Sequence, residues 1–391
     1  MTHLPSPRPP ANGPLWRSVV ALGAALLVAL PTAPAAATVS HLPMAATPQF
    51  NGTVRTAVYL RGTVYVGGDF TAVEDAGRTH RRARLAAVDA ATGRLTPWNP
   101  GADGRVRALT TDGTRIFAGG SFSAVAGVPR ARLAALDPGS GAAAPAFRPR
   151  VSGVPYALAV GYGRLYVGGT LAAVDGRPRG RLAAVDPATG ALDARWAPQA
   201  DALVYSVAVG GGRVYLGGSF RRVNGAGGTL RLAAVHPQTG AVDARFRSVA
   251  TYPAFRVTAH GSTLYAAHGG PGGHIAGYGA DGRMTWRLTT DGNAEAVTVA
   301  DGVLHFGGHF DNVCRSHRVN SVNGDCMDGA YRRVKLGAAT LRGVLTDWAP
   351  QGNGIIGVHT IAAATGYQRL AVGGAFTQVN GREHRRFAQF P

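Results

Sequence analysis

One passage of this chain returns along almost its whole length, and that return limits the fold more than any other feature. YVGGDFTAVEDAGRTHRRARLAAVDAATGRLTPW (residues 65–98) is followed by FAGGSFSAVAGVPRARLAALDPGSGAAAPAF from Phe117. Further copies are YVGGTLAAVDGRPRGRLAAVDPATGALDARW from Tyr166 and YLGGSFRRVNGAGGTLRLAAVHPQTGAVDARF from Tyr215, with weaker ones at Tyr265, Phe306 and Ala371. A fixed period of this length means one supersecondary unit repeated, whose exposed faces are buried by its neighbours.

Each unit contains four short alternating runs. In the second they are VRALTT, RIFAGGSF, RLAALD and AAAPAF, separated by Asp-Gly, Ala-Gly-Val-Pro and Pro-Gly-Ser-Gly turns. Alternation bounded by Gly, Pro and Asp predicts strands and hairpins, and no window carries a sustained helical period. The Gly pairs (67–68, 119–120, 168–169, 217–218, 307–308 and 373–374) mark a bulge or a close approach between sheets. Asp89, Asp137 and Asp186 open turns whose amides they can accept. Trp98, Phe147, Trp196, Phe246, Trp286 and Trp348 end the fourth runs and are expected to pack between neighbouring units.

Four-stranded units repeated about an axis predict an all-β, seven-bladed β-propeller of four-stranded antiparallel blades. The last unit ends at RRFAQFP with no fourth strand, while TPQF (residues 47–50) resembles the fourth-strand text LTPW. The expectation is therefore a ring closed by pairing of the N- and C-terminal strands.

Residues 1–37 have the layout of a signal peptide: Arg8 and Arg17, an apolar core at 18–30, and Ala35-Ala36-Ala37. No other apolar run reaches spanning length, so residues 38–391 are expected to be secreted as a single propeller domain, a monomer without a membrane span. The formal charge is +19, and losing the two leader arginines leaves +17, nearly all of it arginine, since Lys335 is the only lysine. Such an excess favours anionic polymers as partners, or simply keeps the surface soluble. Cys314 and Cys326 are the only cysteines, and export predicts that they pair as a disulfide worth about 2–3 kcal/mol. They could instead join His305, His309 or His317 at a metal, but no supporting spacing exists and no metal is assigned.

The motif lYvGGdF…G…RLAAvDxxTGxlxxW resembles the secreted bacterial delta-sixty-repeat propeller, a domain of unknown function, over essentially residues 47–391. LAAVDAATGRLTPW and LAAVDPATGALDARW also look like the tryptophan-docking text of quinoprotein-like propellers. That second resemblance implies eight blades, a bound Ca²⁺ and adjacent cysteines, whereas this chain has about seven units and separated cysteines. No cofactor is called for.

Ligand contact in such a fold is expected on the face carrying the loops between second and third strands, or in the channel. Those loops are basic. A basic residue precedes the third strand in every unit (Arg84, Arg132, Arg181, Arg231, His274, Lys335 and Arg386), either as a ligand-facing ring or bonded to loop carbonyls. The arginines outside that pattern, Arg78, Arg81, Arg82, Arg177 and Arg385, are ligand candidates because a guanidinium grips sulfate, phosphate or carboxylate in a fork. Units five and six break the repeat most, adding His268, His274 and His309 to the candidates. The stapled insert at 311–334 is either a recognition element over the channel mouth or a plain surface loop. Asp325, Asp328 and Asn323 lack EF-hand spacing. Glu occurs only at Glu74, Glu295 and Glu383, and there is no GxSxG, HExxH or phosphate-loop motif. The sequence therefore points to a non-catalytic binding or scaffold propeller for an anionic polymer or cell-wall glycan. The alternative is an extracellular enzyme, either a polysaccharide lyase or hydrolase or a quinone-dependent oxidoreductase.

Overall fold

The second and third runs of each repeat pair because their buried positions fall on both faces of a short central strand. In the computed structural model, which describes residues 39–364 and 369–391, Val54–Leu60, Thr63–Gly68 and Leu85–Asp89 form such an antiparallel sheet. The leader expected over residues 1–37 lies outside the described residues. Equivalent sheets begin with Val106–Thr111, Pro155–Gly161, Val204–Gly210, Ala254–His260, Asn293–Ala300 and Val358–Ala364. No helix occurs among the described residues, and none is long and apolar enough to cross a membrane. The first strands lie beside one another in chain order, and Val358–Ala364 also lies against Val54–Leu60.

The third strands read LAAV or close to it and are buried along their length because a sheet covers each face. Small residues let those faces approach. A Cβ on Gly67 would sit 2.6 Å from Val106 Cγ1 of the next sheet, and one on Gly373 would sit 2.5 Å from Val54 Cγ1. The second glycine of each pair meets backbone instead: a Cβ on Gly68 would lie 2.0 Å from the Thr53 carbonyl oxygen. The expected aromatics also bridge sheets. Trp98 is buried with Val106, Ile116 and Ala118 of the following sheet, and its Nε1 donates to the Asp137 carbonyl at 3.0 Å. Trp196 and Trp286 make the same bond to His236 and Leu341. The turn aspartates act as expected, Asp89 Oδ1 accepting from the Ala91 and Thr92 amides at 3.0 and 2.7 Å.

The fourth run is weaker than its text implies. Among the described residues only Met284–Thr289 pairs as a full strand; other copies make one bridge, such as Val88↔Leu95 or Val185↔Leu192. Proline at 97 and 145 has no amide to give the ladder.

The terminal segment needs a correction. Gln49–Phe50 does not extend the last third strand, Phe387–Phe390; it pairs with Ala72–Asp75. The backbone that does reach that strand lies earlier, through Ser40 N to the Pro391 carbonyl and Met44 N to the Gln389 carbonyl, both 2.7 Å. Phe50 occupies the place of Ala102 and Ala200 in the links before later first strands, where its ring packs 4.7 Å from Phe70 and 5.5 Å from Phe387. The likeness of TPQF to LTPW is compositional and four residues out of register.

Candidate functional site

In the first and third units the loop between second and third strands is a small β-hairpin that pairs with the link preceding its own sheet. Arg78 and Arg81 stand exposed on one such hairpin strand, and Arg177 on another; none makes a side-chain hydrogen bond or ion pair among the described residues. Arg385 is held between Glu74 (2.5 Å) and Glu383 (3.1 Å). Arg82 is different. It is buried and donates to the Arg81 and Thr96 carbonyls at 3.0 Å, a geometry repeated by Arg130 and Arg333 in their own sheets. Its contacts make Arg82 a repeated tie between a hairpin and a fourth run, not an arginine outside the pattern.

The basic residue before the third strand serves the scaffold in six units. Arg84, Arg132, Arg181, Arg231, Lys335 and Arg386 all have φ between +64° and +70°. Their side chains reach carbonyls or a carboxylate, such as Arg181 to Ala200 O at 2.7 Å and Lys335 Nζ to Asp311 at 2.6 Å. His274, the seventh member, has ordinary backbone and a different neighbour.

His274 stacks on His268 with ring centroids 4.4 Å apart, the two residues being paired in register. His268 is fully buried: Nδ1 donates to the Tyr252 carbonyl (3.2 Å), leaving Nε2 to accept from the Tyr278 hydroxyl (2.9 Å). Burial pushes His268 down to about 4, against the Tyr252 bond. Burial, then the repulsion of His268, Arg287 and His317, pushes His274 down to about 3. Both rings are therefore neutral near pH 7. The Nε2 of His274 is buried without a hydrogen-bond partner.

That imidazole forms part of the lining of a cleft of about 710 Å³. Its wall combines Thr251 and Tyr252, Pro271 and Gly272, the full fourth strand Met284–Thr289, and His317 and Val319 of the insert. The insert is stapled by the Cys314–Cys326 disulfide, whose Cα atoms are 5.2 Å apart. It reaches the cleft through His317 Nδ1, 3.1 Å from Thr289 Oγ1, and through Val319, which packs over Gly272. Four guanidiniums line the wall, Arg245, Arg247, Arg283 and Arg287, and Asp243 and Asp281 answer only two of them. Burial works against the charge of Asp243, but bonds from Arg245 and Arg213 hold it at about 2. Arg247 and Arg287 are exposed and pair with no carboxylate among the described residues. Such an arrangement can fork onto carboxylate, sulfate or phosphate.

Of the expected residues, His268 and His274 come together here; His309, Arg78, Arg81, Arg177 and Arg385 do not line this cleft. The arginines that do lie outside the long loops, but the sequence carries a signal for them: Arg247 stands where Ala197 follows Trp196 in an earlier copy, and Arg283 and Arg287 lie in a unit that breaks the repeat.

No family model matches the chain, and no curated protein matches it. Among solved structures it is similar to the WD40 beta propeller domain of Doa1, with a TM-score of 0.54, 10% identity, and coverage of 88% of this chain and 95% of that one. It is also similar to U3-55K, with a TM-score of 0.57, 12% identity, and coverage of 90% and 100%. The chain has a β-propeller fold.

Proposed function

We propose that this chain is a secreted, non-catalytic propeller of seven blades, related to the delta-sixty-repeat proteins, that holds an anionic polymer in the arginine-lined cleft. Closure of the ring rests on the bonds of Ser40 and Met44 to the last sheet and on the packing of Ala371 and Phe387 with Val54. A disulfide suits an oxidising exterior. The observation that carries the functional reading is the pair Arg247 and Arg287, two uncompensated guanidiniums on an open cleft floored by neutral histidine. The carboxylate pair that most sugar hydrolysis uses is not on that wall, where Asp281 is the one acid among the described residues.

The test is binding of heparin fragments, measured calorimetrically against salt. Affinity is expected to fall steeply, with a log–log slope near −4 if about four charges are engaged. The double substitution Arg247→Ala, Arg287→Ala should weaken binding more than tenfold and flatten that slope by about 2, whereas Arg78→Ala, Arg81→Ala should do neither. Binding that is independent of salt, or untouched by the cleft pair, refutes the reading.

A further inference from the structure

The first strands share an irregularity that blade mechanics alone does not use up. Each ladder with its second strand skips one residue: between Val54 and Thr56, Val106 and Ala108, Pro155 and Ala157, Val204 and Ser206, Ala254 and Arg256, Ala294 and Ala296, and Val358 and Thr360. A bulge takes a residue out of the ladder and re-aims its side chain. The skipped residues are Arg55, Arg107, Tyr156, Tyr205, Phe255, Glu295 and His359, and all of them line one cavity of about 230 Å³, together with Arg256. The position repeats while the residue type does not. A position with a purely structural duty tends to repeat both, as the Gly pairs do in six of the seven units.

The charges in this cavity do not balance. Asp69 is taken by Arg55 (2.7 Å) and Arg105 (2.5 Å). Glu295 is taken by His359 Nδ1 at 2.6 Å and acts on Arg256, which donates to the His359 carbonyl at 3.4 Å. Arg107 pairs with no carboxylate among the described residues, and its Nε is buried without a partner. Its guanidinium lies over the Tyr156 ring at 4.4 Å. From there an aromatic arc continues, Tyr156 to Tyr205 at 6.3 Å and Tyr205 to Phe255 at 5.1 Å, both edge-on. The three rings are only partly buried, so they present apolar surface to the cavity. An unanswered guanidinium beside an arc of rings suits a ligand that is flat at one end and anionic at the other.

We infer that this cavity is a second ligand site, separate from the polymer cleft, which takes a small aromatic carboxylate: the ring packs on Tyr205 and Phe255, and the carboxylate forks onto Arg107. The volume lies below the roughly 300–1,000 Å³ of sites for drug-sized ligands, which limits the occupant to about one ring and its acid group.

Calorimetric titration of the whole chain with benzoate, and separately with benzamidine and benzyl alcohol, tests this. Benzoate should bind saturably, and neither the cation nor the alcohol should bind in the same range. Arg107→Gln and Tyr205→Leu should each weaken benzoate at least tenfold while thermal melting shows both variants folded. Arg247→Ala in the cleft should leave benzoate binding unchanged. The inference is overturned by equal binding of benzamidine, by benzoate binding that survives Arg107→Gln in a folded variant, by loss on Arg247→Ala instead, or by no saturable binding of benzoate.

Discussion

Substituting Gly67 by Ala isolates the contact that sets the spacing between two sheets. The added Cβ would lie 2.6 Å from Val106 Cγ1 and 3.0 Å from Thr56 Cγ2, and Val106 is fully buried with nowhere to turn. Overpacking of this kind costs about 1–3 kcal/mol, offset by roughly 0.4–1 kcal/mol from the stiffer unfolded chain. The net expectation for Gly67→Ala is a loss of about 1–2 kcal/mol. Val106→Ala removes the atom in the way, so in that background Gly67→Ala should be neutral or slightly stabilising. A double-mutant cycle by urea unfolding should therefore return a coupling of about 1–3 kcal/mol. Gly68→Ala is the contrast: its Cβ would meet the Thr53 carbonyl at 2.0 Å, which is backbone, and no side-chain truncation should rescue it. If Gly67→Ala costs the same with Val106 as with Ala at 106, the glycine serves local backbone geometry and the sheet-spacing argument fails.

Acid should weaken the fold in a defined window. His268 and His305 are held near 4 and His274 near 3, all by burial, so below about pH 6.5 the unfolded chain takes up protons that the folded one refuses. Stability is then lost as pH falls from about 6.5 towards 4, by about 2 kcal/mol per histidine at pH 5. His305→Phe should flatten this acid limb in urea titrations, and an unchanged slope would contradict it. Reduction of Cys314–Cys326 should loosen the insert without unfolding the sheets, because the cysteines take part in the short pairing of Asn312–Cys314 with Ala330–Arg332 and in the Val319↔Cys326 bridge, and in none of the seven sheets. Since His317 and Val319 line the cleft, heparin binding should weaken on reduction while the thermal midpoint moves little.

The scaffold was legible because its chemistry is local or repeated. Asp89 bonds amides two and three residues away, and the Gly pairs recur in six of the seven units, so their duties show in the text itself. The site was legible only as a region. His268 and His274 lie six residues apart and stack through register, which a broken repeat with two histidines suggests. Arg247 and His317 meet in one cleft from distant parts of the chain, which no spacing encodes. Arg82 looked exceptional because the rest of its loop is exceptional, yet its own contacts are repeated by Arg130. The residues of the small cavity are hidden for the opposite reason: position repeats, identity varies, and only the skipped register reveals that they converge.

The left-handed basic residues before the third strands also bear on how this molecule behaves in salt. Arg84, Arg132, Arg181, Arg231 and Arg386 spend N–H donors on carbonyl oxygens of their own chain. They raise the potential around the molecule without offering their full fork to a partner. A polyanion drawn in by them is held diffusely, and screening over about 8 Å at physiological ionic strength removes much of that hold. Far-field attraction and selective grip thus reside in different arginines, and the net charge of +19 measures the first of these alone.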